Sequence, residues 1–240
     1  MVQGARQKFR RKFCMRKHNV LVIGDTHCPG MLPQYPKFLE RVKKEYKCDT
    51  VVHIGDCCDN AAISFHDKHP GLSSASEEYK KAKKQVLELW KRFPKLILLT
   101  GNHDALTERQ ATAAGLLPEW IRDFNSMWFT PGWKVIPRFG YIEIDNVRYE
   151  HGDAGKTGQF AAVKTSRARF QSVVSGHCHS ESGCWWTCNG NAKVFGMNVG
   201  TGVDHHLLQF EYGQKFTAKP MVGCGVVLQG KLPIFIPMDL

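Results

Sequence analysis

Val20-Leu21-Val22-Ile23-Gly24-Asp25-Thr26-His27 and, one helix-length later, Thr50-Val51-Val52-His53-Ile54-Gly55-Asp56 carry the same pattern twice. Each is a short apolar, mostly β-branched run that stops at a glycine and releases polar side chains, as a strand buried on both faces does. Between them Pro36 opens a helical stretch with Phe38, Leu39, Val42 and Tyr46 on one face and Arg41, Lys43, Lys44 and Glu45 on the other. Strand, helix, strand makes the two strands parallel, so Asp25, His27 and Asp56 leave one sheet edge side by side. His53 falls inside the second strand and reads as a structural histidine.

The pattern continues outward. A helix that starts with capping-box spacing at Ser74 and Glu77 carries the stripe Tyr79, Ala82, Val86, Leu89, Trp90 and Phe93 and stops at Pro94. Leu96-Ile97-Leu98-Leu99 follows as a third parallel strand and ends in Gly101-Asn102-His103-Asp104. Residues 105–140 mix helical stretches at 108–114 and 119–124 with breaks at Pro118, Pro131-Gly132 and Pro137. Tyr141 to Tyr149 alternates around Asp145-Asn146 as a hairpin and delivers Glu150-His151-Gly152-Asp153. Residues 156–170 read as an amphipathic helix, and Val173-Val174-Ser175 as a strand that delivers Gly176-His177-Cys178-His179. Short strands are expected at 193–199, 206–212, 222–228 and 232–236.

Composition bounds the function classes. The 240 residues suffice for one well-cored domain. No run approaches the roughly 18 apolar residues of a membrane span, and the first residues lack a signal-peptide core, so a soluble, cytoplasmic protein is expected. Nine scattered cysteines then read as reduced thiols. The net charge of +11 is concentrated: Arg6, Lys8, Arg10, Arg11, Lys12, Arg16 and Lys17 all precede the first acidic residue. The expected organisation is a basic arm at 1–18 ahead of one domain at 19–240. Such an arm suits phosphate backbones or an acidic partner, and equally a solvated tail.

Five clusters therefore leave strand ends: Asp25-x-His27, Gly55-Asp56, Gly101-Asn102-His103-Asp104, His151-Gly152 and Gly176-His177-x-His179. A rigid sheet edge can aim such groups at one point. Two Asp, one Asn and four His supply oxygen and imidazole donors that suit manganese, iron, zinc or nickel better than calcium or magnesium. Seven donors exceed one tetrahedral site and match two ions that share a bridging carboxylate.

In order and spacing these motifs resemble the calcineurin-like metallophosphoesterase superfamily over about residues 19–202. The resemblance implies an α/β fold, a four-layer α/β/β/α sandwich of two mixed sheets flanked by helices. It implies two divalent transition-metal ions, manganese foremost. Asp25, His27 and His179 would bind the first, Asn102, His151 and His177 the second, and Asp56 would bridge them. His103, paired with Asp104, would face the substrate, and hydroxide held between the ions would attack a phosphate ester in line. His66, His69, Lys156 and Arg167 are further candidates for substrate contact. The basic arm and the basic helix at 156–170 point to a nucleotide or nucleic-acid phosphodiester, with phosphomonoesters as the alternative.

Several residues depart from the pattern. The superfamily's protein Ser/Thr phosphatases carry Gly-Asn-His-Glu and an Asp-Arg-Gly near the bridging aspartate, whereas this chain has Asp104 and Cys57-Cys58-Asp59-Asn60, which disfavours that branch. Asp153 stands where relatives have the second His of His-Gly-His. Two rival readings are a structural zinc site of Cys178, Cys184, Cys188 and His179, and a scaffold that keeps the fold without catalysis. The zinc spacing is poor for a finger, and no ligand position is missing as a scaffold reading would require. For the arm, deletion of residues 1–17 is the deciding experiment. A phosphate-binding arm predicts weaker nucleic-acid affinity at low salt, and unchanged affinity in a filter-binding titration marks a solvated tail.

Overall fold

The computed structural model describes residues 17–156, 158, 160–213 and 217–239; the arm expected at 1–18 lies, up to residue 16, outside the described residues. β1 (Asn19–Ile23) and β2 (Thr50–His53) are parallel, with α1 (Tyr35–Glu45) between them. Pro36 sits in the first turn of α1, and Tyr35, Phe38, Leu39 and Val42 are buried. α2 (Ala75–Arg92) starts at a full capping box: Ser74 Oγ accepts the Glu77 N–H and the Glu77 carboxylate accepts the Ser74 N–H. It leads into β3 (Ile97–Leu99), parallel to β2, so three strands end at the same edge.

The next stretch departs from expectation. α3 (Leu106–Ala113) forms, but 119–124 is not a helix: a 3-10 turn at Pro118–Trp120 gives way to α4 (Phe124–Trp128). Asp123 is the reason. It caps α4 by accepting the Ser126 N–H, which requires the extended backbone it adopts (ψ 163°) and rules out a helix running through it. β4 (Lys134–Ile136) then joins β3 in parallel. At three residues between proline-marked breaks, it is too short to show periodicity in the sequence.

The second sheet begins with the hairpin of β5 (Tyr141–Ile144) and β6 (Val147–Glu150). α5 (Ala161–Arg169) is shorter than the expected 156–170 and starts only after Phe160, whose φ of 60° is left-handed. β7 (Ser172–Ser175), β8 (Ser182–Cys188) and β9 (Lys193–Val199) complete the sheet in the order β5-β6-β7-β9-β8. Residues 206–212 are not a strand; Leu208–Gly213 is a 3-10 turn. There Gln209 Nε2 donates to the His27 carbonyl at 3.2 Å and Phe210 sets its ring against His27, contacts that a paired strand would not allow. β10 (Gly223–Leu228) and β11 (Leu232–Pro237) return to the first sheet, whose order is β11-β10-β1-β2-β3-β4.

Because β1, β2 and β3 are buried on both faces, their alternate side chains serve two cores. Val20, Val22, Val52 and Leu99 meet Tyr149, Val174, Phe195 and Met197 of the second sheet. Leu21, Ile23, Leu98 and Val226 meet Phe38 and Leu39 of α1 and Val86 and Leu89 of α2. Each such side chain contributes about 1.5–3 kcal/mol on burial. α5 covers the outer face of the second sheet at Gly196, where a β-carbon would come within 2.5 Å of Val163. The layers are α/β/β/α, two mixed sheets between helices. Among the described residues no helix is long and apolar enough to cross a membrane.

His53 is fully buried at the end of β2. Its Nδ1 accepts the Gly55 N–H at 3.3 Å, its Nε2 meets Thr26 Oγ1 at 3.1 Å, and Thr26 Oγ1 donates to the Cys57 carbonyl at 3.0 Å. These partners have room for one imidazole proton, on Nε2, so we infer the neutral tautomer. Burial pushes the ring's pKa down to about 4. The unfolded chain takes up this proton near 6.5 and the folded chain near 4, so stability is lost as pH falls through that window. The loss is on the order of 3 kcal/mol. His53→Gln, which keeps a donor for Thr26, is expected to remove this component from urea-unfolding free energies measured between pH 7 and 4. Parallel pH profiles for the two proteins would sink the assignment.

Candidate metal centre

The parallel strands of both sheets release their polar residues toward one place. Asp25 and His27 follow β1, Asp56 follows β2, Asn102 and His103 follow β3, His151 follows β6, and His177 and His179 follow β7. Asp25, His27, Asp56 and His151 are buried and form the floor, while Asn102, His103, His177 and His179 are half-exposed and form the rim. His27, Asp56 and His177 hold left-handed backbone at φ 43°, 48° and 64°. For residues with a β-carbon that costs about 1–3 kcal/mol each.

Donors that normally repel one another face inward together. The His151 ring gives its Nδ1 to the Ile54 carbonyl at 3.1 Å, which assigns the proton there and leaves the Nε2 lone pair inward. That Nε2 lies 3.2 Å from Asn102 Oδ1 and 3.3 Å from Asp56 Oδ2. His27 repeats the arrangement. Its Nδ1 meets Asp59 Oδ1 at 2.8 Å, and its Nε2 lies 3.2 Å from His179 Nε2 and 3.7 Å from Asp56 Oδ2. Asp25 Oδ2 accepts the His177 N–H at 3.0 Å and meets His179 Nε2 at 3.1 Å, while its fully buried Oδ1 has no hydrogen-bond partner among the described residues. Converging lone pairs and an orphaned carboxylate oxygen call for positive charge at the centre, and the oxygen and imidazole donors suit a divalent transition metal.

The same crowding shifts the titrating groups. Burial alone would lower the His103 and His151 pKa values, but the carboxylates of Asp56 and, at His103, Asp59 outweigh it and raise both to about 10, so at His151 a proton and a cation compete for the Nε2 lone pair. Burial would likewise raise Asp25 and Asp56, yet the surrounding imidazoles hold both carboxyls below the usual range. Groups of three donors lie within 4.8 Å of one another as Asp25, His27, His179; as Asp56, His151, His177; and as His27, Asp59, His103. Among the described residues none of these groups contains a cysteine, so the structural-zinc reading of Cys178, Cys184 and Cys188 finds no support.

One expected pairing is corrected. Asp104 does not orient His103: its Oδ1 accepts the Cys58 N–H at 2.9 Å and its Oδ2 the Gly101 N–H at 3.0 Å, so it braces the two motif turns. Successive side chains in the turn diverge, and the carboxylate folds back to satisfy buried amides. Asp59 takes the place instead. Its carbonyl lies 2.8 Å and its Oδ1 3.1 Å from His103 Nδ1, and it holds His27 as well. Asp59 was unassigned in the sequence reading; its signal was a second carboxylate three residues after Asp56. Asn60, whose Nδ2 donates to the His103 carbonyl, and Phe210 were also missed.

Neither His66 nor His69 belongs to a donor group among the described residues. His66 and His69 are exposed on the loop after Ala61–Ile63, where His69 Nδ1 accepts the Gly71 N–H. Lys156 is exposed, and Arg167 of α5 donates from Nε to Thr187 Oγ1 on β8.

Solved structures of similar fold include vacuolar protein sorting 29 from Cryptosporidium parvum, 14% identical over 88% of this chain and 86% of that one, with a TM-score of 0.45. The phosphoesterase YfcE from E. coli is 12% identical over 87% of each chain, with a TM-score of 0.37. Nuclease MPE from Pseudomonas putida is 15% identical over 90% of this chain and 87% of that one, with a TM-score of 0.36. No curated protein sequence matches the chain. The family model for calcineurin-like phosphoesterases matches residues 18–195, which takes in all five motif clusters and most of the chain. By that match the chain belongs to the calcineurin-like phosphoesterase family.

Proposed function

We propose that the chain is a dinuclear metal-dependent phosphoesterase that hydrolyses a nucleotide or nucleic-acid phosphodiester. The observation that carries the metal part is Asp56 Oδ2, set between the inward Nε2 atoms of His151 at 3.3 Å and His27 at 3.7 Å. A carboxylate oxygen between two imidazole lone pairs suits a bridge between two cations. Asp25, His27 and His179 would hold one ion and Asn102, His151 and His177 the other. Manganese is the first choice, with iron, zinc or nickel also suited to these donors. Bound ions supply polarisation of phosphoryl oxygens and lower the pKa of water from 15.7 to about 7.

The remaining work belongs to the chain itself. Asp59 ties Nδ1 of His103, which leaves Nε2 for the substrate. The Asp59 carboxylate beside Nδ1 favours the protonated imidazole, which sets His103 to give a proton to the leaving oxygen. The second imidazole edge-on to it, His27, lies 4.6 Å away between ring centres, so the acid stands at the lip of the donor cluster. No side chain needs to form a covalent bond to the phosphoryl group. The nucleotide part of the proposal is supported by basic charge, namely the leading arm together with Lys164, Arg167 and Arg169 exposed on α5.

Asp56→Asn is expected to lose bound manganese in elemental analysis after dialysis. His103→Ala should keep its metal and lose roughly 10²–10⁴-fold in kcat on an aryl phosphodiester. Asp59→Asn, which frees His27 as well as His103, should weaken manganese binding and lose about 10- to 100-fold in kcat, because a misaimed His103 still retains its proton. Unchanged metal content in Asp56→Asn would remove the bridging role, and turnover of phosphoserine with none on any nucleotide or strand would remove the nucleotide part.

A further inference from the structure

A groove of about 540 Å³ is lined in part by Phe65, Ala105, Glu108, Arg109, Arg138 and Phe139. Phe65 and Phe139 are 51% and 60% exposed, and neither belongs to a hydrophobic core. Phe139 also holds left-handed backbone at φ 66°, where glycine or asparagine would fit with less strain and a polar group would be better solvated. Packing therefore does not account for these two rings.

Each ring carries a guanidinium. The Arg109 Cζ lies 5.1 Å from the centre of Phe65, and the Arg138 Cζ lies 4.4 Å from the centre of Phe139. Both arginines are also fastened to turns that carry candidate metal ligands. Arg109 Nη1 donates to the Asn102 carbonyl at 3.4 Å, and Arg138 Nε pairs at 2.7 Å with Asp153, two residues after His151. Two residues of the groove wall are thus tied to the turns that follow β3 and β6. Aromatic faces, fixed cations and one carboxylate, Glu108, answer the chemistry of a nucleotide. A flat heterocycle stacks on phenyl rings, guanidinium binds phosphate and carbonyl oxygens, and a carboxylate accepts from an exocyclic amino group.

We propose that this groove holds the nucleobase adjoining the scissile phosphate, with Phe65 and Phe139 as stacking platforms and Arg109 as the cation that bridges base and phosphate. The proposal rests on the phosphoesterase reading and adds to it the place where the substrate is recognised. Arg138, held by Asp153, is a positioning residue for Phe139.

The test uses the full chain loaded with manganese and two probes that differ only by the base, adenosine 5′-monophosphate and ribose 5-phosphate, titrated by calorimetry. Wild type is expected to bind the nucleotide at least about fivefold more tightly, the lower range for one stacked base. Phe65→Ala and Phe139→Ala should each remove most of that advantage and leave ribose 5-phosphate affinity unchanged, while Phe65→Trp should retain it. Both rings are exposed, so the variants are expected to keep the wild-type melting temperature. Equal affinity for the two probes, equal losses for both in the variants, or no binding of either overturns the proposal. Hydrolysis of an aryl phosphodiester by wild type is scored separately: its absence overturns the phosphoesterase reading, whereas turnover without a base-dependent affinity overturns the groove alone.

Discussion

The Asp56 carboxylate is the point on which the arrangement depends. One oxygen is spent on structure: Oδ1 accepts the His103 N–H at 2.8 Å and so docks the turn after β3 onto the turn after β2. The other oxygen is left to face two imidazoles. That division works only because Gly101 lacks a side chain, since a β-carbon there would sit 2.1 Å from Oδ1. The same device recurs across the two sheets. A β-carbon at Gly176 would meet Asp25 Oδ1 at 2.3 Å, and one at Gly55 would meet His151 Nδ1 at 2.3 Å. Gly55, Gly101 and Gly176 are therefore spaces cut for donors of neighbouring strands, which gives these three clusters their glycine on the approach.

Bringing lone pairs together in a buried place opposes folding, and the left-handed backbone at His27, Asp56 and His177 adds to the opposition. Two packed cores on either face of the first sheet supply the counterweight. Hydrogen bonds then divide the imidazoles by task. His53 is buried as a neutral link under the floor, His151 and His27 have their outer nitrogens engaged by Ile54 and Asp59, and His103 shares Asp59 with His27. One carboxylate thereby aims a candidate ligand and a candidate acid together, so neither can be reoriented alone.

Much of this was legible in the chain. The runs before Asp25, Asp56 and Asn102 are strands because continuous β-branched sequence bounded by glycine has few other folds, and the βαβ rule puts their ends together. The layered α/β/β/α architecture followed from the motif resemblance and holds. What escaped reading was set by partners far away in sequence. β4 and β8 exist because a neighbour offers an edge to pair with, not because their own sequences alternate. The 3-10 turn at Leu208–Gly213 forms where Gln209 and Phe210 reach His27, a contact no local pattern announces. Asp104 drew the role of partner to His103 by adjacency, whereas the partner is Asp59, 44 residues earlier and brought near by the pairing of β2 with β3.

The antiparallel pairing of β1 with β10 joins Ile23 to Cys224 and Asn19 to Leu228. The strand that launches Asp25 and His27 is thus flanked on one side by β2, available early in synthesis, and on the other by a segment about two hundred residues downstream. Until that segment leaves the ribosome, β1 presents a bare ladder of amides and carbonyls between mostly apolar side chains, the kind of edge that recruits stray strands. Closure of the first sheet is a long-range event with a large loop entropy to overcome, which makes maturation slow and exposed to misassembly during synthesis.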